Sequence, residues 1–364
     1  MKAKSEKRRP FIGNQIQECR DVSGLFYILS FQKGYILNWE VQKNVWDYIF
    51  SNECFPVNFS ESKFIITEPL FNFPSIQEAL VEIFFEEYDC GALAKVTAPD
   101  LCQYHYTNTQ KTPPLCCLVI DLGYSFSHIV PCIKGKKVLS AVRRIDIGGK
   151  MLTNHFKEVI SYRQLNVMDE SYVINQVKED SCFVSKNFYD DMKLAKKRYP
   201  ENTILREYVL PDCTTIKRGY LQQPGTASKS DDYQVLKLNN DRFAIPEILF
   251  HPSDIGINQM GISDAVIDSV NACPEETRPH LFANIIVIGG CAKFPGMQAR
   301  LQKDIRSMAP EWFDVKVTVP DDPIMYPWYG GKFMAKDPDF EKNYITRQDY
   351  DEEGSRNLII GNEL

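Results

Sequence analysis

The sequence predicts an α/β fold, and three observations carry that prediction. "CCLVIDLG" (Cys116–Gly123) and "NIIVIGG" (Asn284–Gly290) are continuous apolar runs ending in glycine, as the central strands of an α/β sheet do. In "VIDLGYSFSHIVP" (Val119–Pro131) a second apolar run comes within a few residues of the first, the pattern of a β-hairpin whose turn approaches a phosphate. Other stretches carry apolar residues at the spacing of amphipathic helices.

Taken in order, the chain opens on "MKAKSEKRRP", whose Lys2, Lys4, Lys7, Arg8 and Arg9 make residues 1–23 a basic arm. The arm reads either as a solvated tail or as an import signal or phosphate-touching segment, and it lacks the apolar core of a secretory signal. From about Phe26 the pattern is that of a folded chain. "NWEVQKNVWDYIF" spaces Val41, Val45, Trp46 and Ile49 for a helix with Asn38 as N-cap. "KFIITEP" predicts a short buried strand ended by Pro69. "SIQEALVEIFFEEY" predicts an amphipathic helix opened by Ser75, with Glu78 at capping-box spacing. Residues 189–235 are turn-rich, polar and poorly periodic, so an insertion or flexible excursion is expected there. The acidic "DYDEEGSR" near the C-terminus is expected to be solvated.

At 364 residues the chain has room for two domains or one large split one. Its 44% hydrophobic and 25% charged residues point to a globular protein, and no apolar run reaches the ~18–20 residues of a membrane span. The 11 cysteines are scattered, with no CxxC and no zinc spacing, which points to reduced thiols in the nucleus or cytosol. A net charge of −6 argues against non-specific nucleic-acid binding over the whole surface.

Several stretches fall in an order that carries a resemblance. They are "KGYILNWEVQKNVWDYIF", "VIDLGYSFSHIVP", "RRIDIGGKMLTNHFKEVIS", "DRFAIPEILFHPSDIGINQMGISDAVIDSV", "IIVIGGCAKFPGMQARL" and "YPWYGGK". With the shared "F-x-x-PE-x-LF-x-P" and "GG-x3-FPG" patterns, the chain resembles actin and the actin-related proteins from about residue 24 to 335. The resemblance implies an α/β, actin-like fold of the actin, Hsp70 and sugar-kinase superfamily, with two related α/β domains around a nucleotide cleft. It places the first domain at 24–111 plus 326–364, and the second at 112–325 with the polar insertion at about 189–235.

The same resemblance supplies a list of site residues. Asp121 and Gly123 match the second phosphate hairpin, Asp121 as a carboxylate held near metal through water, Gly123 as the point where backbone N–H groups approach phosphate. Where actin has a second aspartate and glycine, Tyr124 and Ser125 stand here, and a phenol is a poor substitute for a hard carboxylate. The alternative is that Asp121 caps the hairpin and Tyr124 packs locally. Gly149, Lys178 and Glu179 match positions lining base and sugar. Gly289, Gly290, Phe294, Pro295 and Gly296 match the loop under adenine and ribose, where Phe294 would stack on a base face; the alternative is that this loop serves only the fold. Ile324 replaces a lysine that flanks adenine. The water-orienting glutamine aligns with Ala98, with Gln103 the nearest polar alternative. The first hairpin, D-x-G-[ST] after a strand, has no match, since "DVSG" at Asp21–Gly24 comes after a charged stretch.

A phosphate site altered in this way implies a protein that is not an enzyme. No metal or cofactor is required, and ATP or ADP is admitted only as a structural ligand. Within the family the chain reads like a nuclear subfamily, found in the chromatin remodeller that exchanges a histone variant into nucleosomes. Its implied partners are the motor ATPase subunit, a zinc-finger HIT-type subunit, and nucleosomal DNA and histones, with no membrane and no filament. A slow ATPase and a polymerising actin-like protein are the competing readings.

Overall fold

The computed structural model describes residues 10–19, 28–212, 215–224 and 233–360. The basic residues Lys2–Arg9 and the "DVSG" of Asp21–Gly24 lie outside them. In chain order the first elements are β1 (Phe31–Gln32), β2 (Tyr35–Ile36), α1 (Trp39–Ile49), β3 (Lys63–Glu68), α2 (Pro74–Glu82), β4 (Ala92–Thr97) and α3 (Ala98–Thr109). Then come β5 (Cys116–Leu122), β6 (Ser127–Ile133), β7 (Lys136–Lys137), β8 (Arg143–Ile145), α4 (Gly149–Arg163), α5 (Ser171–Ser181) and α6 (Phe188–Ala195). The strands β9 (Arg206–Val209), β10 (Tyr220–Gln222) and β11 (Val235–Leu238) lead to α7 (Asp241–Glu247), α8 (Ile262–Asn271) and α9 (Arg278–Phe282). The chain closes with β12 (Ile285–Ile288), α10 (Met297–Met308), β13 (Val317–Thr318), α11 (Tyr326–Met334), β14 (Ile345–Thr346) and α12 (Arg347–Ile360).

Two compact units divide the chain: residues 1–64, 71–94 and 344–364 form one, and residues 65–70 with 95–343 form the other. In the smaller unit α1 starts as its sequence predicts, with the Asn38 side chain accepting from the Val41 N–H at 3.1 Å. Its core is aromatic, with Trp46, Phe64 and Tyr88 all within ring contact of Phe84. The acidic C-terminal stretch forms α12, with Asp349, Asp351, Glu352 and Glu353 exposed to solvent as expected, and the helix packs beside α2. Tyr350 stacks on Phe85 at 4.7 Å, and the Arg347 guanidinium donates to the Phe85 carbonyl and Asp89. The capping box at Ser75 and Glu78 is not formed. The helix starts one residue earlier, on Pro74, whose fixed φ and missing N–H suit a first helical position, and no side chain caps it.

The larger unit is built on a sheet of order β13-β12-β5-β6-β7, with β8 paired to β6. β12 runs parallel to β5, with Ile288 beside Asp121, and β5 and β6 form the antiparallel hairpin, Leu122 opposite Ser127. Both β5 and β12 are buried on both faces, which is why they read as unbroken apolar runs. One face packs on α4, α5, α8 and α10 through Leu118, Ile120, Phe156, Val177 and Leu301, and the other on α3 through Val119, Val130, Cys102 and Tyr106.

The described residues of segment 189–235 hold more regular structure than their polar composition suggested. It holds most of α6, and β9 is paired with both β10 and β11 in an antiparallel sheet. Tyr208 and Val209 are fully buried, so a short inward-facing apolar stretch secures a strand that the surrounding polar residues conceal.

Candidate functional site

The β5–β6 hairpin ends in a four-residue loop, Gly123–Phe126, and the loop is tied down by its neighbours. The Gly123 N–H donates to the Phe126 carbonyl at 3.1 Å. The Gly123 carbonyl accepts from the Gly149 N–H at 3.0 Å and the Tyr124 carbonyl from Lys150 N–H at 2.8 Å. Two of the amides at the start of α4, groups that elsewhere collect anions, therefore face loop carbonyls. Glycine at position 148 permits this approach, since a Cβ there would lie 2.6 Å from the Tyr124 carbonyl oxygen. The Tyr124 ring, half exposed, lies against Gly149, and the Ser127 hydroxyl at the start of β6 donates to the Ile147 carbonyl at 2.8 Å.

Asp121, the last polar residue before the loop, has no hydrogen bond or ion pair among the described residues. Its Oδ1 faces Gly289, where it would stand 3.0 Å from a Cβ. Burial without a counter-charge pushes its carboxyl up to about 6. Directly across the hairpin is His128, which sequence reasoning did not single out. It is 2% exposed, its Nε2 lacks a partner among the described residues, and burial together with Arg144 pushes it down to about 4. The signal for His128 is the strand register: a loop of four residues puts it opposite Asp121 with both side chains on one face.

Lys178, from α5, is 4% exposed and points its ammonium at the start of α4. Its three donors meet three acceptors, each at 2.9 Å: the Gly149 carbonyl, the Thr153 hydroxyl and Asn175 Oδ1. No carboxylate pairs with it among the described residues, and burial lowers its pKa. Glu179 is exposed and accepts from Asn175. The sequence thus brings Asp121, Gly123, Gly149 and Lys178 into one cluster, joined by the Cys291 thiol, which contacts the Gly123 carbonyl at 3.7 Å. Burial raises that thiol to about 11, so it stays protonated at neutral pH.

The glycine loop after β12 divides by role. Gly289 has φ +92° and leaves no room for a Cβ, which would lie 2.4 Å from the Leu122 carbonyl oxygen. Gly290 faces open space. Gly296 (φ +90°) lets the chain pass the Val184 carbonyl and start α10. Phe294 is 7% exposed and packs in the main core, and Pro295 holds the loop through a carbonyl that accepts from Val184 N–H at 2.8 Å. Ile324 is half exposed on the turn next to this loop, where the Pro323 carbonyl accepts from Gly289 N–H at 3.0 Å.

Ala98 is the first residue of α3, and its neighbour Thr97 is bonded to Asp100 at 2.6 Å and to Lys137 at 3.1 Å. Gln103 donates to Thr107 and faces the turn at Gly135, at the opposite end of β6 from the 123–126 loop. The hairpin therefore has no glutamine from that position beside it.

This fold and this arrangement define a class: the chain belongs to the actin family, whose pattern matches residues 1–361. Among curated relatives it is similar to Actin-related protein 6 of Drosophila melanogaster, 50% identical over 98% of this chain and 91% of that protein. It is also similar to Actin-related protein 6 of Oryza sativa subsp. japonica (37% identical, 92% of this chain, 85% of that protein) and to Actin-like protein ARP6 of Cryptococcus neoformans (35%, 96% and 76%).

Proposed function

We propose that the chain is a non-catalytic actin-related subunit of a nuclear, ATP-dependent chromatin-remodelling complex that exchanges a histone variant into nucleosomes and so supports transcription regulation. In this reading it presents surfaces to the motor ATPase subunit, to a zinc-finger HIT-type subunit and to the nucleosome, and forms no filament. The similarity to proteins named Actin-related protein 6 supports the placement in that group.

One observation carries the non-catalytic part: the loop that should cradle phosphate is bonded to its own helix. The Gly123 amide is held by Phe126, the α4 amides of Gly149 and Lys150 by loop carbonyls, and all three Lys178 donors by protein acceptors. Tyr124 stands where a second carboxylate would be needed, and no glutamine reaches the hairpin from α3. Asp121, unbonded among the described residues, keeps a carboxylate for a hydrated metal ion. In this reading a bound ATP or ADP would act as a structural ligand.

The test is nucleotide content. The chain is purified with its HIT-type partner, denatured, and the released small molecules are resolved by anion exchange. ATP at near-stoichiometric level with little ADP, or no nucleotide, is expected. Stoichiometric ADP, with turnover abolished in Asp121→Ala, would establish the slow ATPase instead. Pelleting of the chain with ATP and salt would establish a polymer. Loss of histone-variant exchange from a complex lacking this chain, with the motor's own ATPase retained, is the result expected for the remodeller role.

A further inference from the structure

The loop between α10 and β13 carries the most exposed tryptophan of the described residues: Trp312 is 81% exposed. Indole left in water is unusual for so large an apolar group, and here the loop beneath it is rigid. The Arg306 guanidinium, on the last turn of α10, donates to the carbonyls of Ala309, Pro310 and Phe313. Phe313 packs against Phe282 and the main core. Three anchored carbonyls and a neighbouring ring packed on the core hold the backbone of Trp312, so presenting the indole to a partner costs little ordering entropy.

The charges around the indole indicate what it would meet. Glu311 and Asp314 flank it, both exposed or half-exposed and neither in an ion pair or hydrogen bond among the described residues. Of the nearby cations, Arg306 is turned inward onto carbonyls and Lys316 lies beyond Asp314, next to β13. An exposed indole on a loop that also carries exposed carboxylates one residue before it and two residues after it suits a guanidinium or ammonium, for which the loop offers a cation–π contact and counter-charges together. A purely apolar socket would have to desolvate both carboxylates unpaired.

We infer that the Trp312 loop, with Glu311 and Asp314, is a docking point for an arginine- or lysine-bearing segment of a protein partner. The inference does not depend on the function proposed above.

The full chain labelled with ¹⁵N gives an indole N–H signal for each of its 4 tryptophans. Trp312→Phe assigns the signal of Trp312, and the other three signals, unchanged, show that the variant is folded. Titration with a synthetic Arg-Gly repeat peptide is expected to shift the Trp312 signal saturably, with tighter binding at low salt. The double variant Glu311→Gln/Asp314→Asn should weaken that binding at least fivefold with the indole still in place. The inference is overturned if the signal does not move, if the double variant binds as well as the parent, or if a neutral leucine-bearing peptide of the same length shifts it equally. The last outcome would make the loop an apolar anchor instead.

Discussion

Asp121→Asn should make the isolated chain more stable at neutral pH, an unusual outcome for a residue at the centre of a candidate site. The folded chain holds the Asp121 carboxyl at about 6 against an ordinary 3.8, because burial opposes its charge and no cation or donor among the described residues offsets that. Such a group binds its proton more tightly folded than unfolded, so protonation favours the fold. The penalty is absent below about pH 3.8, grows from 3.8 to 6 and is complete above 6. A difference of that size corresponds to at most about 3 kcal/mol at pH 7, and partial solvent access brings it to about 1–2 kcal/mol. Asparagine keeps the shape and removes the charge. Urea unfolding of both proteins at pH 7.5 and pH 4.5, without nucleotide or divalent cation, measures the effect. The variant should be the more stable at pH 7.5, with most of the gain gone at pH 4.5. A loss of stability at pH 7.5, or a gain independent of pH, would refute the picture of an unpaired buried carboxylate. If Mg²⁺ with ATP raises the parent's stability and not the variant's, Asp121 still serves a hydrated metal ion.

The geometry sets three further outcomes. Arg300 is clamped between Glu247 (2.7 and 2.9 Å), Asp304 and the Ser185 carbonyl, over the Phe250 ring; Arg300→Met should cost about 3–5 kcal/mol by stranding the buried Glu247 charge. Pairing it with Glu247→Leu should recover most of that in chemical denaturation. Gly289→Ala should destabilise by about 2–4 kcal/mol, because a Cβ would meet the Leu122 carbonyl oxygen at 2.4 Å and φ is +92°; thermal unfolding reads this directly. Lys178→Met removes two hydrogen bonds to the N-terminal part of α4, at the Gly149 carbonyl and the Thr153 hydroxyl, and a third to Asn175 on α5, and should cost about 2–3 kcal/mol. Hydrogen exchange should quicken at Gly149–Thr153 first, while β9–β11 keep their protection.

Much of the fold was legible because its strongest signals are local. The apolar runs at Cys116–Leu122 and Ile285–Ile288 admit only buried strands, the glycines that end them only tight turns, and Asn38 in front of a helical repeat only a cap. The order of those motifs was enough to place the chain in its family. The strands inside 189–235 and the docking of α12 were not legible. Each depends on a few inward-facing groups, such as Tyr208 or Tyr350, whose burial is decided by residues far away in sequence. The candidate site divides in the same way. The family resemblance named Asp121, Gly123, Gly149, Lys178, Glu179, Gly289, Gly290 and Phe294 as a set, of which Glu179 is exposed, Gly290 faces open space and Phe294 is buried in the core. Only tertiary structure could show that the loop's carbonyls face the α4 amides, that Lys178 has an acceptor for every donor, and that the Nε2 of His128 is unpartnered among the described residues. Hydrogen-bond partners are a property of three-dimensional proximity, and a linear sequence names donors and acceptors without saying which of them meet.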